Sequence, residues 1–455
     1  MKTDNLFTLP RAFEENMKAI LGDEYPDFES SLHETPSVSI RLNSGLKFPE
    51  KGHGLFPRDS QVPWCRSGIY LAERPSFTLD PLFHAGSYYV QEAASMFVEQ
   101  CANTVRQHGD IDHILDLCAA PGGKSTHLIS LFPESLIVCN EPVRPRAAIL
   151  GENISRWGRA NSMITSCDPS EFRRLNHFFD FVLVDAPCSG EGMFRREAEA
   201  LKEWSPENIR RCSLRQSRIV RDVWDSLKPG GFMLYGTCTY NMEENEKLVE
   251  FIADSLGAES VPVDIRSFNG ISPSLNSKIH AYRFFPHRTR GEGLFLSLLR
   301  KNGERKQNPA GKARHACRAP ELDPWILQNS AFTYTRNNDR IYMLPEKFAA
   351  DVEFIGKTVY TLSSGTEICT AKGKELIPSF DFAHSAEINT GNFTVRAVDK
   401  TEALRFLKRE SMSAPPDTAR GYVLLTYLGV PLGWVKNIGS RANNMLPHNR
   451  KIRIR

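Results

Sequence analysis

Six short apolar runs recur between about Ile111 and Arg300: Ile114 to Leu117, Leu136 to Asn140, Met163 to Ser166, Phe181 to Val184, Phe232 to Tyr235 and Leu294 to Leu299. Helical segments separate them, and this alternation predicts an α/β fold with a mostly parallel sheet covered on both faces. Ser205-Pro206-Glu207 opens a long helix with a good N-cap and Pro at the first helical position. Lys228-Pro229-Gly230-Gly231 is expected to close that helix and turn the chain into the next strand. Ahead of this core, an amphipathic helix near Pro10 to Leu21 precedes an alternating strand, Val38 to Asn43. Period two sends Val38, Ile40 and Leu42 inward and predicts that Ser39, Arg41 and Asn43 are solvated. Beyond Arg300 comes a Lys-, Arg-, Gly-, Asn- and Pro-rich linker and a strand-rich stretch to about 390. A last unit follows, with a capping-box helix at Asp399-Lys400-Thr401-Glu402 and strands Tyr422 to Leu428 and Leu432 to Lys436. The expected domains are 1–85, 86–300, 301–390 and 391–455.

The first core strand runs into Asp116-Leu117-Cys118-Ala119-Ala120-Pro121-Gly122-Gly123-Lys124-Ser125. Small residues let backbone approach a ligand, and the helix N-terminus that follows offers free N–H groups. A phosphate-cradling P-loop would need Gly where Cys118 stands, and Gly-x-Gly-x-x-Gly is absent. After the next strand, Glu141 is placed to accept from both ribose hydroxyls, and Asp168, after the third, from an adenine amino group. An adenosyl ligand without a pyrophosphate fits this set, and S-adenosylmethionine is the common one. The candidate cofactor residues are Cys118, Ala119, Ala120, Pro121, Gly122, Gly123, Lys124, Glu141, Asp168 and Asp185.

Two cysteines end two other core strands, Cys188 in Asp185-Ala186-Pro187-Cys188-Ser189-Gly190 and Cys238 in Thr237-Cys238-Thr239. Both thiols are expected at the carboxyl edge of one sheet, which suggests covalent chemistry. The residues by themselves do not say which thiol attacks. Cys101, Cys139, Cys167, Cys212 and Cys369 are read as small packed hydrophobes, and Cys118 as packing rather than reacting.

In order and spacing, Asp116 to Lys124, Asp185 to Gly190 and Thr237-Cys238-Thr239 resemble the Nop/Sun family of RNA (cytosine-5) methyltransferases. Gly190-Glu191-Gly192-Met193-Phe194-Arg195, Gly433-Trp434-Val435-Lys436 and Arg441 to Leu446 are similar to its bacterial RsmF/YebU-like branch, which modifies 16S ribosomal RNA. The resemblance implies a Rossmann-like class I methyltransferase core, a small N-terminal α+β domain that contacts RNA and a C-terminal PUA-like domain. It implies Cys238 as nucleophile toward cytosine C6 and Cys188 as the agent of product release, with 16S rRNA or the 30S subunit as partner. Asp185 is well placed to bond the cytosine N4 amino group and share a proton with N3. The loop Met193 to Arg196, Tyr240, the basic linker and the tail Arg441 to Arg455 are candidate RNA contacts, with Phe194 or Tyr240 stacking on a base and Lys451 to Arg455 alternating as a strand.

Whole-chain charge is only +3, but it is unevenly spread: Lys436 to Arg455 carries basic residues and no acid. Scattered cysteines without Cys-x-x-Cys or Cys/His clusters point to free thiols and no metal. With no apolar run near 18 residues or so, no membrane partner is expected, and no DNA; a reduced cytoplasm is the expected compartment. The competing readings are a tRNA cytosine-5 methyltransferase with the same core and a ribosome-assembly factor that binds RNA without turnover.

Overall fold

In a computed structural model of the chain, which describes residues 8–43, 56–304, 318–413 and 419–453, the apolar runs assemble into one 10-stranded sheet. Its centre is parallel, with Ser162–Thr165, Leu136–Asn140, His113–Asp116, Phe179–Asp185 and Leu227–Thr237 side by side in that order. Leu294–Lys301 pairs antiparallel with Leu227–Thr237, and Tyr282–Phe284 and Ser272–Pro273 finish that edge. The chain order reverses between His113–Asp116 and Phe179–Asp185, so a crevice opens where the strands on either side send their loops apart. The glycine loop leaves one of these strands and the Cys188 loop leaves the other.

The helix opened by Ser205 spans Pro206–Trp224, and the Ser205 side chain accepts from the Asn208 N–H at 3.1 Å. Lys228-Pro229-Gly230-Gly231 is not a turn ahead of the strand, as expected, but part of it. The pairing of Leu227–Thr237 with Phe179–Asp185 slips register between Phe179 and Phe181, and Gly230 takes up the bulge at φ 71°. Lys228 is buried there because Asp180 answers its charge at 2.6 Å.

The N-terminal sheet is four-stranded and antiparallel: Arg58–Gln61, Gly68–Leu71, Val38–Leu42 and Tyr88–Val90. It therefore extends past the expected boundary at 85. Period two holds along Val38–Leu42, but the polar face is not solvated: Arg41 and Asn43 are fully buried and Ser39 nearly so. Arg41 donates to Gln91 Oε1 at 2.7 Å and Thr126 Oγ1 at 2.6 Å and lies over the Trp157 ring at 4.4 Å. Asn43 donates to the Gly86 and Trp157 carbonyls, both at 3.0 Å. Thr126 and Trp157 belong to the helices Gly123–Leu131 and Arg144–Trp157 of the large sheet, so this face is polar because it docks on helix backbone. The opposite face, with Ile40, Ile69 and Leu71, packs on Phe406, Leu425 and Leu432 of the C-terminal unit. The N-terminal sheet is thus the filling between the other two.

Phe332–Asn337, Arg340–Pro345, Thr366–Lys372 and Glu375–Pro378 form a third sheet, from which Thr361–Ser364 departs to pair with Ser162–Thr165 at the edge of the large one. Residues 305–317 of the expected basic linker lie outside the described residues. The C-terminal sheet joins Thr394–Val398, Gly421–Tyr427, Val430–Asn437 and Ala442–Asn444, and Asp399 caps the helix Lys400–Leu407 by accepting from the Glu402 N–H at 2.8 Å. Ala442–Asn444, in the tail expected to contact RNA, is this edge strand. The expected terminal strand is absent from Lys451 to Arg453: Ile452 is buried instead, its N–H donating to the Leu407 carbonyl at 3.0 Å, and Ile454 and Arg455 lie outside the described residues.

Candidate active site

A cavity of 520 Å³ fills the crevice, and Cys118, Ala119, Ala120, Pro121, Gly123, Lys124, Glu141, Asp168, Asp185, Cys188 and Cys238 all line it. Of the residues expected at the site only Gly122 stands off the wall. It adopts φ 111° at the turn into Gly123–Leu131, a conformation L side chains resist.

The two thiols meet at the deep end, with Sγ to Sγ at 3.2 Å. Their contact and then burial hold the Cys188 thiol well above its ordinary range. Lys124 reaches the same place from the start of its helix and pairs with Asp185 at 2.7 Å. Burial works against the Lys124 charge, but Asp185, Cys238 and Asp116 outweigh it and keep the ammonium stable. The pair leaves the second Asp185 oxygen without a hydrogen bond among the described residues.

Two buried carboxylates that sequence reasoning missed hold the cysteine loops. Glu191 accepts from Thr239 Oγ1 at 2.6 Å, the Tyr240 N–H at 2.7 Å, the Asn241 N–H at 2.9 Å and Trp204 Nε1 at 2.9 Å. Glu244 accepts from the Ser189 N–H at 3.0 Å, Asn241 Nδ2 at 2.8 Å and Gln216 Nε2 at 2.7 Å. Ser189 and Thr239 hydroxyls join the loops directly at 2.9 Å. The available signal was position: each acid follows a cysteine loop closely, before the chain resumes regular structure. Gly192 completes the junction, because a Cβ there would meet the Cys238 carbonyl oxygen at 2.9 Å.

The other end of the cavity is floored by acids. Glu141 is buried, accepts from the Val143 N–H at 3.0 Å and faces Arg146 at 3.4 Å. Arg146 and Asn153 in turn hold the glycine loop through the Ala120 and Pro121 carbonyls, at 3.1 and 2.7 Å. Asp116 lies beneath that loop, accepting from Ser125 at 2.6 Å, and burial pushes its carboxyl up to about 7; its Oδ1 is buried without a hydrogen-bond partner among the described residues. Asp168 is largely committed elsewhere, to Ser170 at 3.1 and 2.7 Å and to Arg218 at 3.0 Å, so little acceptor capacity is left toward the cavity. Glu141 and Asp116, set at the glycine loop, offer carboxylate acceptors that suit the hydroxyls and amino groups of an adenosyl ligand.

The expected RNA contacts after Cys188 are corrected. Phe194 and Tyr240 are buried, Phe194 against Phe13 at 5.0 Å and Tyr240 stacked on Phe285 at 5.5 Å, so neither ring is free for a base. Arg195 and Arg196 both pair with Glu292, at 2.5 and 2.7 Å. The N-terminal helices, through Phe13 and Phe28, bury a loop whose aromatic and basic residues read as surface. Cys101, Cys139, Cys167 and Cys369 are buried, whereas Cys212 is half-buried on its helix. Cys65, His127 and Glu99, far apart in sequence, also meet, with Sγ to Nε2 at 3.8 Å and Nε2 to Oε2 at 3.2 Å. Burial pushes that thiol up to about 12 and the imidazole down to about 4, which makes the group a neutral thiol and ring beside one carboxylate.

A switch-point cavity with a glycine loop and an acidic floor defines a Rossmann-like methyltransferase, and comparison with known proteins agrees. Residues 104–300 match the 16S rRNA methyltransferase RsmB/F model, 9–93 the N-terminal domain of 16S rRNA methyltransferase RsmF and 393–452 the methyltransferase RsmF PUA domain. A methyltransferase homolog from Pyrococcus horikoshii superposes with a TM-score of 0.54 at 26% identity, over 64% of this chain and 95% of that one. The ribosomal RNA small subunit methyltransferase F of Pectobacterium atrosepticum is 30% identical over 475 residues, 97% of this chain and 96% of that protein. The protein of the same name in Vibrio cholerae is 28% identical over 484 residues, 97% of each. The chain belongs to the RsmF family of 16S rRNA methyltransferases. No helix among the described residues is long and apolar enough to cross a membrane.

Proposed function

We propose that the protein is an S-adenosylmethionine-dependent RNA (cytosine-5) methyltransferase acting on 16S rRNA in the small ribosomal subunit, through a covalent bond between Cys238 and C6 of the target base. The observation that carries this reading is the meeting of both thiols with the Lys124–Asp185 pair beside an acid-floored slot in one cavity. Bound S-adenosylmethionine supplies the electrophilic methyl group. Glu141 would hold its ribose, and Asp116 and the glycine loop the remainder of the adenosyl end.

C5 of cytosine is a poor nucleophile until a thiolate adds to C6. The Lys124 ammonium reaches the same end of the cavity, and contact with Cys238 and burial hold Cys188 protonated beside it. The free Asp185 oxygen accepts from the N4 amino group, which selects cytosine over uracil, and a proton shared between Asp185 and N3 activates C6. Once Cys238 is bonded to C6 and the methyl group is on C5, a base takes the C5 proton as the carbon–sulfur bond breaks; Cys188, 3.2 Å from Cys238, fills that role after giving its own proton to solvent, the division of roles that the family resemblance implies. The PUA domain and the N-terminal domain would hold the flanking RNA.

Incubation of purified protein and labelled cofactor with a 16S transcript or 30S subunits tests the reading. Label is expected at C5 of cytosine; no incorporation into either substrate refutes it.

A further inference from the structure

Two smaller cavities adjoin the catalytic one. A pocket of 160 Å³ between the N-terminal sheet and the helix Arg144–Trp157 is lined by Phe83, Tyr88, Tyr89, Trp157, Asn153 and Arg156. Tyr89 and Val90 belong to its wall and also to the wall of the catalytic cavity. Arg156 lines it and also a groove of 300 Å³ that runs to Arg450, Lys451 and Arg453 of the C-terminal unit. The pocket therefore lies between the catalytic cavity and the groove and shares wall residues with each.

The chemistry changes along this path. The pocket is aromatic, with the size of one heterocyclic base and far too narrow for a duplex. The groove is cationic beyond its local need. Arg156, Lys451 and Arg453 form no salt bridge among the described residues, and Arg450 alone meets acids, Glu152 at 3.5 Å and Asp381 at 3.8 Å. His84 and His384 face the same cations and are held neutral, by burial first and then by Arg156 and Arg450. Among the described residues Glu152 is the one carboxylate on the groove wall, against Arg156, Arg450, Lys451 and Arg453, and an excess of cations of this kind forms a site for a polyanion.

We propose that this seam is the RNA track of the enzyme: an unpaired nucleobase flanking the target stacks in the pocket of Phe83 and Tyr89, and the phosphates beyond it lie along Arg156, Lys451 and Arg453. The inference rests on the proposed function for the identity of the target but places contacts that the chemistry alone does not require. It also demands single-stranded substrate on that side of the target, because a stacked base cannot enter the pocket.

RNA affinity, KM for 30S subunits and cofactor affinity, measured on the full-length protein and two variants, test the track. Lys451→Glu with Arg453→Glu, both exposed, is expected to weaken RNA binding at least about tenfold and to lower the slope of log affinity on log salt by about two. Phe83→Ala is expected to weaken RNA binding about tenfold with the salt slope unchanged. In both, cofactor affinity and kcat at saturating RNA stay within about twofold of the parent. Unchanged RNA affinity in the charge-reversal variant overturns the track, whether or not Phe83→Ala folds; loss of cofactor binding in Phe83→Ala assigns the pocket to the cofactor and also overturns it. If the parent binds RNA but transfers no methyl group, the proposed function falls while the binding data still decide the track. If it transfers methyl and the variants bind RNA as the parent does, only the track falls.

Discussion

The cysteine loops and the seam groove are both polar and half-buried, yet they balance charge in opposite ways. Around Cys188 and Cys238, Glu191 and Glu244 answer donors from both loops inside the protein. Along the groove, Arg156, Lys451 and Arg453 are left without salt bridges among the described residues. Bond-making needs geometry fixed before the substrate arrives, and low-dielectric hydrogen bonds supply it. Holding a polyanion needs charge that the ligand itself neutralises, and prior pairing would weaken it.

Breaking the first region should cost most. Cys238→Ala should lower single-turnover methyl transfer by roughly 10⁴-fold or more and abolish any RNA adduct on denaturing gels. Cys188→Ala should accumulate that adduct, and the reverse pattern would exchange the two roles. Glu191→Ala leaves the Thr239, Tyr240, Asn241 and Trp204 donors without their acceptor, with an expected loss of roughly 4 kcal/mol in urea unfolding and a fall in kcat larger than any rise in RNA KM. An equal loss of RNA affinity would mean that the clamp serves binding instead.

The contact between the N-terminal sheet and the glycine-loop helix offers an intermediate case. Arg41→Met removes hydrogen bonds to Gln91 and Thr126, with an expected loss of roughly 3 kcal/mol and earlier proteolysis of the N-terminal domain. The effect that is smallest at any one step of the measurement is a pH slope. Burial raises the Asp116 carboxyl to about 7, so its favourable contribution to folding is whole below the unfolded pKa near 4 and disappears as pH rises to about 7. Asp116→Asn should flatten a decline of at most about 1.4 kcal/mol per pH unit across that window, read from unfolding curves at several pH values.

Strands and the cysteine loops were legible because their information is local. Period, turn residues and motif spacing placed His113–Asp116, Phe179–Asp185, Glu141 and both thiols on one sheet edge. What failed depended on which surface meets which. Arg41 and Asn43 alternate correctly, but period two reports only that a face is polar, and helix backbone can receive that face as well as water can. Phe194 and Tyr240 follow the cysteine loops and read as exposed, while the helices that bury them lie far upstream in the chain. Lys228 looked like part of a turn because its partner Asp180 sits on a neighbouring strand. Glu191 lay inside a quoted motif without a role and Glu244 in none, since a clamping carboxylate is defined by the donors that converge on it.

Thr361–Ser364 gives its backbone hydrogen bonds to the edge of the same sheet whose other strands present Cys188 and Cys238. The third unit is therefore fastened to the catalytic sheet by main-chain ladder rather than by a hinge, and the N-terminal sheet locks the C-terminal unit from the opposite side. The molecule is thereby built as a calliper with its jaws set at a fixed span, and under the proposed function the target base would be measured from a distal RNA feature as well as read by the bases beside it.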